Sequence, residues 1–164
     1  MRTLLLCLFL SFSAVAFSQK WNPNTTSVEG IVTEVLELLS TEEQDWEKFR
    51  GLFLSSAHFM VVSENDQMGT HMQSFALEDF VRIFQKTTPG SFSEVPINLT
   101  VNEYNGIAQA WQTYEVKIGE TGNQGINSFQ LVYHADRWWI ASIVWANNTN
   151  GVAIPSTFLP EEKN

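Results

Sequence analysis

Few side chains in this chain have the chemistry to move a proton or to grip a ligand. Asp45 is the best-placed carboxylate. On a helix with Trp46, Phe49 and Phe53 along one face, it falls four residues before Phe49 and seven before Leu52, at the border of that face. There it is either a base drawn into a pocket or a surface acid beside Lys48. His58 sits on a mostly apolar strand, as a pocket acid or base or as a packed, hydrogen-bonded core residue. Tyr114 and Asn127 take core-facing parity on later strands, and each brings a polar tip that needs a partner once buried. They are a pair able to orient a ligand, or groups that satisfy backbone at a strand irregularity. A carboxylate or imidazole shielded from water has its pKa drawn towards working pH. Asp45 or His58 as base, with Tyr114 or Asn127 donating to a developing oxyanion, would suit an isomerase or dehydratase.

The candidate ligand-binding set is Trp46, Met60, His71, Trp111, Tyr114, Asn127 and Phe129. Trp111 faces away from Tyr114 by simple alternation, unless a bulge turns it inward. His71 falls in Glu64–Ser74, a polar, Gly-containing stretch with Met68 and Met72 that reads as a mobile flap over a pocket. His134 belongs to a turn. The three His lack ligand spacing such as HExxH, and no metal or cofactor is expected. Neither GxSxG, a P-loop nor GxGxxG occurs.

A basic start at Arg2, an apolar run Thr3–Phe12 and small residues at Ala14 and Ala16 define a signal peptide over residues 1–18. The run is shorter than the roughly 20 residues of a membrane helix. Cys7, the one cysteine, lies within it, so the mature domain would have neither thiol nor disulfide. A secreted or periplasmic location follows. Without residues 1–18 the charge is eight Lys and Arg against eighteen Asp and Glu, or −10. That balance repels phosphate backbones and anionic lipid, so neither nucleic acid nor membrane is an expected partner.

The elements that must position these residues follow from periodicity. Residues 19–26 are a flexible leader. From Ser27, a plausible N-cap, Val28, Ile31, Val32, Val35, Leu38 and Leu39 recur at helical spacing. Ser40 and Glu43 offer a capping box for the helix of Trp46, Phe49 and Phe53. Ser56–Val62 alternates as a strand, and Leu77, Phe80, Val81 and Phe84 define a third helix ending before Pro89. Val95–Glu103 and Ile107–Ile118 flank Asn105-Gly106, a hairpin signal because both turn residues accept positive φ. Gly119–Gly125 reads as a Gly-rich turn, Ile126–His134 as a strand, and His134–Arg137 as the turn into a last strand. There Trp138, Ile140 and Val144 oppose Trp139, Ala141, Ile143 and Trp145, so both faces are apolar and a partner on the outer one is implied. Helices followed by a long meander give an α+β order, with one domain over 27–147 and a polar tail over 148–164.

The runs Ala108-Gln109-Ala110-Trp111-Gln112-Thr113-Tyr114, Gly125–Leu131 and Trp138-Trp139-Ile140 resemble the C-terminal strands of nuclear transport factor 2-like domains, closest to the SnoaL-like or lumazine-binding branch. Asp45-Trp46 with Phe49 and Phe53, followed by Ala57-His58-Phe59, is similar to that family's second helix and first strand. The resemblance spans about residues 27–160. It implies a cystatin-like cone, a strongly curved antiparallel sheet wrapped around N-terminal helices, with a pocket inside and a homodimer contact on the outer sheet face. The family includes isomerases, cyclases, dehydratases, epoxide hydrolases and non-catalytic domains, so the fold does not decide the function. The Asp-Arg-Asp set of the epoxide hydrolases is not evident, because Arg82 and Arg137 have no obvious inward carboxylate.

Three readings follow. One is an exported, non-catalytic domain enclosing a small apolar or aromatic molecule, on the aromatic supply and the poverty of inward ionisable groups. Another is the isomerase or dehydratase. The third is a protein-interaction module anchored by Trp139 or Trp145 on the outer face.

Overall fold

The computed structural model describes residues 23–65, 69–87, 92–118 and 121–161. The signal-peptide reading of residues 1–18 and most of the leader lie outside the described residues. Pro23–Thr25 is a single 3-10 turn that packs against the first helix and the last strand, with Thr25 buried, so the end of the leader belongs to the fold.

Helix α1, Val28–Leu39, begins where the Ser27 hydroxyl accepts the Gly30 N–H at 3.0 Å. Its apolar stripe, Val28, Ile31, Val32, Val35, Leu38 and Leu39, is buried throughout. Buried Glu34 on the same helix pairs with Lys48 and accepts the Asn24 amide. Ser40 and Glu43 do not form a capping box: Ser40 is the C-cap of α1, and its hydroxyl accepts the Glu94 N–H at 3.0 Å. Helix α2 is one short turn, Trp46–Arg50, N-capped by Asp45. Gly51 ends it, and Phe53 already belongs to strand β1, Phe53–Asn65.

The flap expected at Glu64–Ser74 is instead largely strand. β2, Gly69–Ala76, pairs antiparallel with β1 from Asn65↔Gly69 to His58↔Ala76. A polar stretch reads as a loop in sequence, but an edge strand whose side chains are nearly all in water needs no apolar alternation. Helix α3, Leu77–Thr87, follows with Leu77, Val81 and Phe84 buried. β3, Phe92–Tyr104, and β4, Ile107–Ile118, are joined by Asn105 and Gly106 at φ 46° and 82°. β5 begins at Thr121 and runs to His134, so the second half of the supposed Gly-rich turn is strand. Ala135 and Asp136, at φ 51° and 60°, turn it into β6, Arg137–Asn147.

The strands form one sheet in the order β2-β1-β6-β5-β4-β3. Every pair is antiparallel except β1 with β6, which run parallel because α3 and the meander separate them in the chain. Irregularities at Phe53/His58, Pro96/Asn98 and Gln130/Leu131 bend it. β1 and β3 lie four strand spacings apart, about 19 Å if the sheet were flat. Phe59 of β1 and Phe92 of β3 nonetheless join one chain of rings through α3: Phe59–Phe80 4.4 Å, Phe80–Phe84 5.8 Å and Phe84–Phe92 5.0 Å. The sheet therefore curls around a hollow that α1 closes against β3 and β6, and α3 against β1 and β2.

The irregularity between β5 and β6 changes the reading of the last strand. Leu131 pairs with Ile140 but Gln130 pairs with Ser142, which leaves Ala141 as an extra residue. Trp138 and Ile140 point inward before it, and Ile143 and Trp145 after it, so Val144 and not Ile143 is the outward residue. Much of what looks like two apolar faces in the sequence is a single inner face interrupted by a bulge.

Candidate functional site

The hollow contains a cavity of about 260 Å³. Val35, Leu36 and Leu39 of α1 and Phe80 and Phe84 of α3 close it, while Phe129, Ile143 and Trp145 supply the sheet side. One corner is polar, built by Glu94 of β3, Tyr114 of β4, Asn123 and Asn127 of β5 and Asn147 of β6.

Each polar group has a local reason to be there. Ser40, at the end of α1, takes the Glu94 N–H and so fixes the backbone from which that carboxyl enters the cavity. Asn127 donates to Glu94 Oε1 at 2.6 Å and to Gln112 Oε1 at 2.9 Å, which engages its side-chain nitrogen twice. Buried Gln112 donates in turn to the Thr113 carbonyl at 3.3 Å. Tyr114 lies across from Gly125 in the β4–β5 register, and a Cβ at Gly125 would overlap its hydroxyl. The glycine is what lets the ring lie flat against the strand. Asn123 Oδ1 is buried with no hydrogen-bond partner among the described residues.

Burial drives the Glu94 carboxyl up to about 7, against the opposing pull of the Asn127 hydrogen bond. Burial also raises the Tyr114 phenol, and the neighbouring Glu94 charge raises it further. Near neutral pH the corner thus holds a carboxyl that gains and loses a proton readily, beside a phenol that stays protonated.

Of the candidate catalytic and ligand-binding residues singled out in the sequence, Tyr114, Asn127 and Phe129 line this cavity and the others do not. Asp45 is exposed and accepts the Lys48 N–H at 2.9 Å, so its carboxylate serves as an N-cap and not as a pocket base. His58 and Met60 alternate with buried Ala57 and Phe59 and therefore lie on the outer face of β1, with His58 exposed. His71 is exposed on β2. Trp46 packs edge-on to Phe49 and Phe84, each at 5.5 Å, as part of the core. No bulge brings Trp111 inward: it stays on the outer face, 5.3 Å from Phe158 of the tail. Trp145, a supposed outer anchor, is on the cavity wall. Trp139 is partly exposed and lies under the Arg137 guanidinium at 3.9 Å.

Periodicity and motif do not single out Glu94, Gln112 or Asn123. Gln112 is within reach, since strict alternation puts it between Ala110 and Tyr114 on the inner face. Glu94 precedes the strand that alternation delimits, and Asn123 falls in a stretch that reads as a turn. Among the described residues there is no group of three or more His, Cys, Asp or Glu placed to hold a metal ion.

No family model matches the chain, and no curated protein matches it in sequence. Solved structures do match it. One is a nuclear transport factor 2-like protein with a cystatin-like fold from Novosphingobium aromaticivorans, 13% identical over 79% of this chain and 84% of that one, with a TM-score of 0.56. A candidate ketosteroid isomerase from Parabacteroides distasonis is 14% identical over 76% and 89%, with a TM-score of 0.54. The CaMKII hub of S. rosetta is 11% identical over 77% and 98%, with a TM-score of 0.58. The chain has the nuclear transport factor 2-like, cystatin-like fold. Identities this low carry the fold and nothing about activity.

Proposed function

We propose that this protein binds a small molecule with an apolar or aromatic body, without turning it over. The observation that carries this reading is the cavity, about 260 Å³, with walls of Phe, Trp, Leu, Ile and Val and its polar groups gathered at one corner. At about 30 Å³ for each water displaced from the liquid, it suits a guest of roughly one fused ring pair with a short substituent. Val116→Phe would fill the space from β4, where Val116 is a lining residue. The variant is expected to keep its far-ultraviolet circular dichroism and to lose saturable binding of a naphthalene probe, followed by fluorescence. Binding unchanged in that variant would place the guest elsewhere.

A second reading, proton transfer of the isomerase or dehydratase type, is favoured by one observation: the carboxyl in the cavity is held near neutral pKa. The base is then Glu94 in place of Asp45 or His58, with Tyr114 as the donor. It calls for Glu94-dependent exchange of the α-protons of a cyclic unsaturated ketone in heavy water, followed by NMR. No exchange with a ketone shown to bind leaves the non-catalytic reading standing.

The proposal extends to context. A signal peptide at residues 1–18 would place the protein outside the cytoplasm. A homodimer would use the outer sheet face on the β6 side, near Trp139 and Val144, since the tail covers Trp111.

A further inference from the structure

We propose that the polar corner of the cavity selects a cationic hydrogen-bond donor, a protonated amine or amidine on a flat aromatic body, held between the Glu94 carboxylate and the Asn123 side-chain oxygen. The inference rests on the binding function proposed above and names the head group of the guest.

What the corner leaves unused argues for it. Asn127 has spent its donors on Glu94 Oε1 and Gln112 Oε1. Asn147 turns its oxygen to the N–H and hydroxyl of Thr149. The Asn147 amide nitrogen remains as a donor, and two acceptors are left over. Glu94 Oε2 has no hydrogen bond among the described residues, and Asn123 Oδ1 is buried without one. A buried acceptor with no donor is costly, and a guest that brings N–H groups removes that cost. The Tyr114 hydroxyl serves either way.

Charge points in the same direction. Among the described residues no Lys, Arg or His lines the cavity, so an anionic guest would meet no counter-ion from them. The chain as a whole is at −9. The rings of Trp145, Phe80 and Phe84 around the cavity offer π faces to a cation. Apart from Glu94 itself, Tyr114 is the only ionisable residue lining the cavity among the described residues; the lining residues of α1, α3, β5 and β6 have neutral side chains. The Glu94 carboxyl must ionise to hold the cation. Being raised to about 7 when the cavity is empty, it makes amine affinity fall by about tenfold per pH unit below that point and stay level above it.

The test uses the full chain and three probes of one shape: 1-naphthylmethylamine, 1-ethylnaphthalene and 1-naphthylacetate, titrated by calorimetry at pH 8.0 and pH 5.5. At pH 8.0 the amine is expected to bind about 10- to 100-fold tighter than the neutral probe, the range for a hydrogen bond to a charged group. The acetate should bind weakest. Lowering the pH to 5.5 should close most of that gap. In Glu94→Gln the amine should lose its advantage over 1-ethylnaphthalene at both pH values. Should that variant fail to fold, the pH series on the unaltered protein decides alone. Equal affinity for the amine and the neutral probe, or preference for the acetate, overturns the head-group assignment and leaves the binding function intact. If none of the three binds, the cavity is not a site for such guests and both proposals fall.

Discussion

Glu94 is partly buried with one neutral donor, Asn127, as its support, and it carries the largest upward carboxyl displacement resolved in the described chain. In the unfolded chain it ionises near 4.5 and in the folded chain near 7. Between those values the native state binds the extra proton, so this group makes stability fall as pH rises through the window and leaves it level above. Glu94→Gln removes the proton and keeps the shape. The variant should gain on the parent protein by on the order of 3 kcal/mol between pH 4.5 and 7.5 in parallel urea titrations. Identical pH profiles for the two proteins would mean that the carboxyl is solvated. Arg137 is a second residue whose role is set by its contacts. It donates to the Gly51 carbonyl at 2.7 Å and to the Trp138 carbonyl at 3.2 Å, and stacks on Trp139. It ties the start of β6 to the end of α2. Lysine offers neither the planar fork nor the stacking face, so Arg137→Lys should lower the urea midpoint by the equivalent of about 1–3 kcal/mol.

At the scale of elements, what is distinctive is how each strand is steered so that the right residue faces the hollow. Gly125 lies where β5 passes beneath the Tyr114 ring, and an added Cβ would meet both that hydroxyl and the Ala146 carbonyl. Gly125→Ala should therefore cost about 1–3 kcal/mol and push Tyr114 off its place. Loss of both stability and probe binding would be seen by thermal unfolding and by fluorescence titration. A variant as stable as the parent would show that the ring has room to move. The same local devices mark where the sequence can be read and where it cannot. α1, α3, the Asn105-Gly106 hairpin and the inner row of β4 obey a single period, and that period is visible without a partner. β6 does not. Counting by twos places Ile143 and Trp145 outside, and only the Ala141 bulge, a property of its pairing with β5, brings them in. β2 carries almost no apolar signal because it is an exposed edge. Asp45 shows the limit for a single residue: its spacing suggests a face, but its chemistry as a short polar side chain before a helix makes it a cap.

Over the whole molecule, the outer sheet face with its large aromatics is partly covered by the chain's own tail. After β6 the chain crosses the outside of the sheet to a short 3-10 turn, Ser156–Phe158. The Phe158 carbonyl accepts the Thr113 hydroxyl at 2.6 Å and the Asn98 amide at 3.2 Å, and its ring meets Trp111 at 5.3 Å. Residues from β3 and β4 thus hold the tail at one point, and the ring covers apolar surface that would otherwise face water. Phe158→Ala removes the ring and leaves the carbonyl, which tests whether packing or hydrogen bonding secures the strap. With Trp111 uncovered, the variant should expose an apolar patch continuous with β4, and such patches self-associate. Sedimentation velocity across a concentration series is expected to show a larger weight-average mass for the variant than for the parent. Hydrogen exchange at residues 156–159 should quicken in the same samples, while protection in β1, separated from β4 by β6 and β5, stays as it was. Faster exchange without association would reduce the tail to a local tether. No change in either would mean that the two hydrogen bonds to Phe158 suffice and that Trp111 is sheltered by other means.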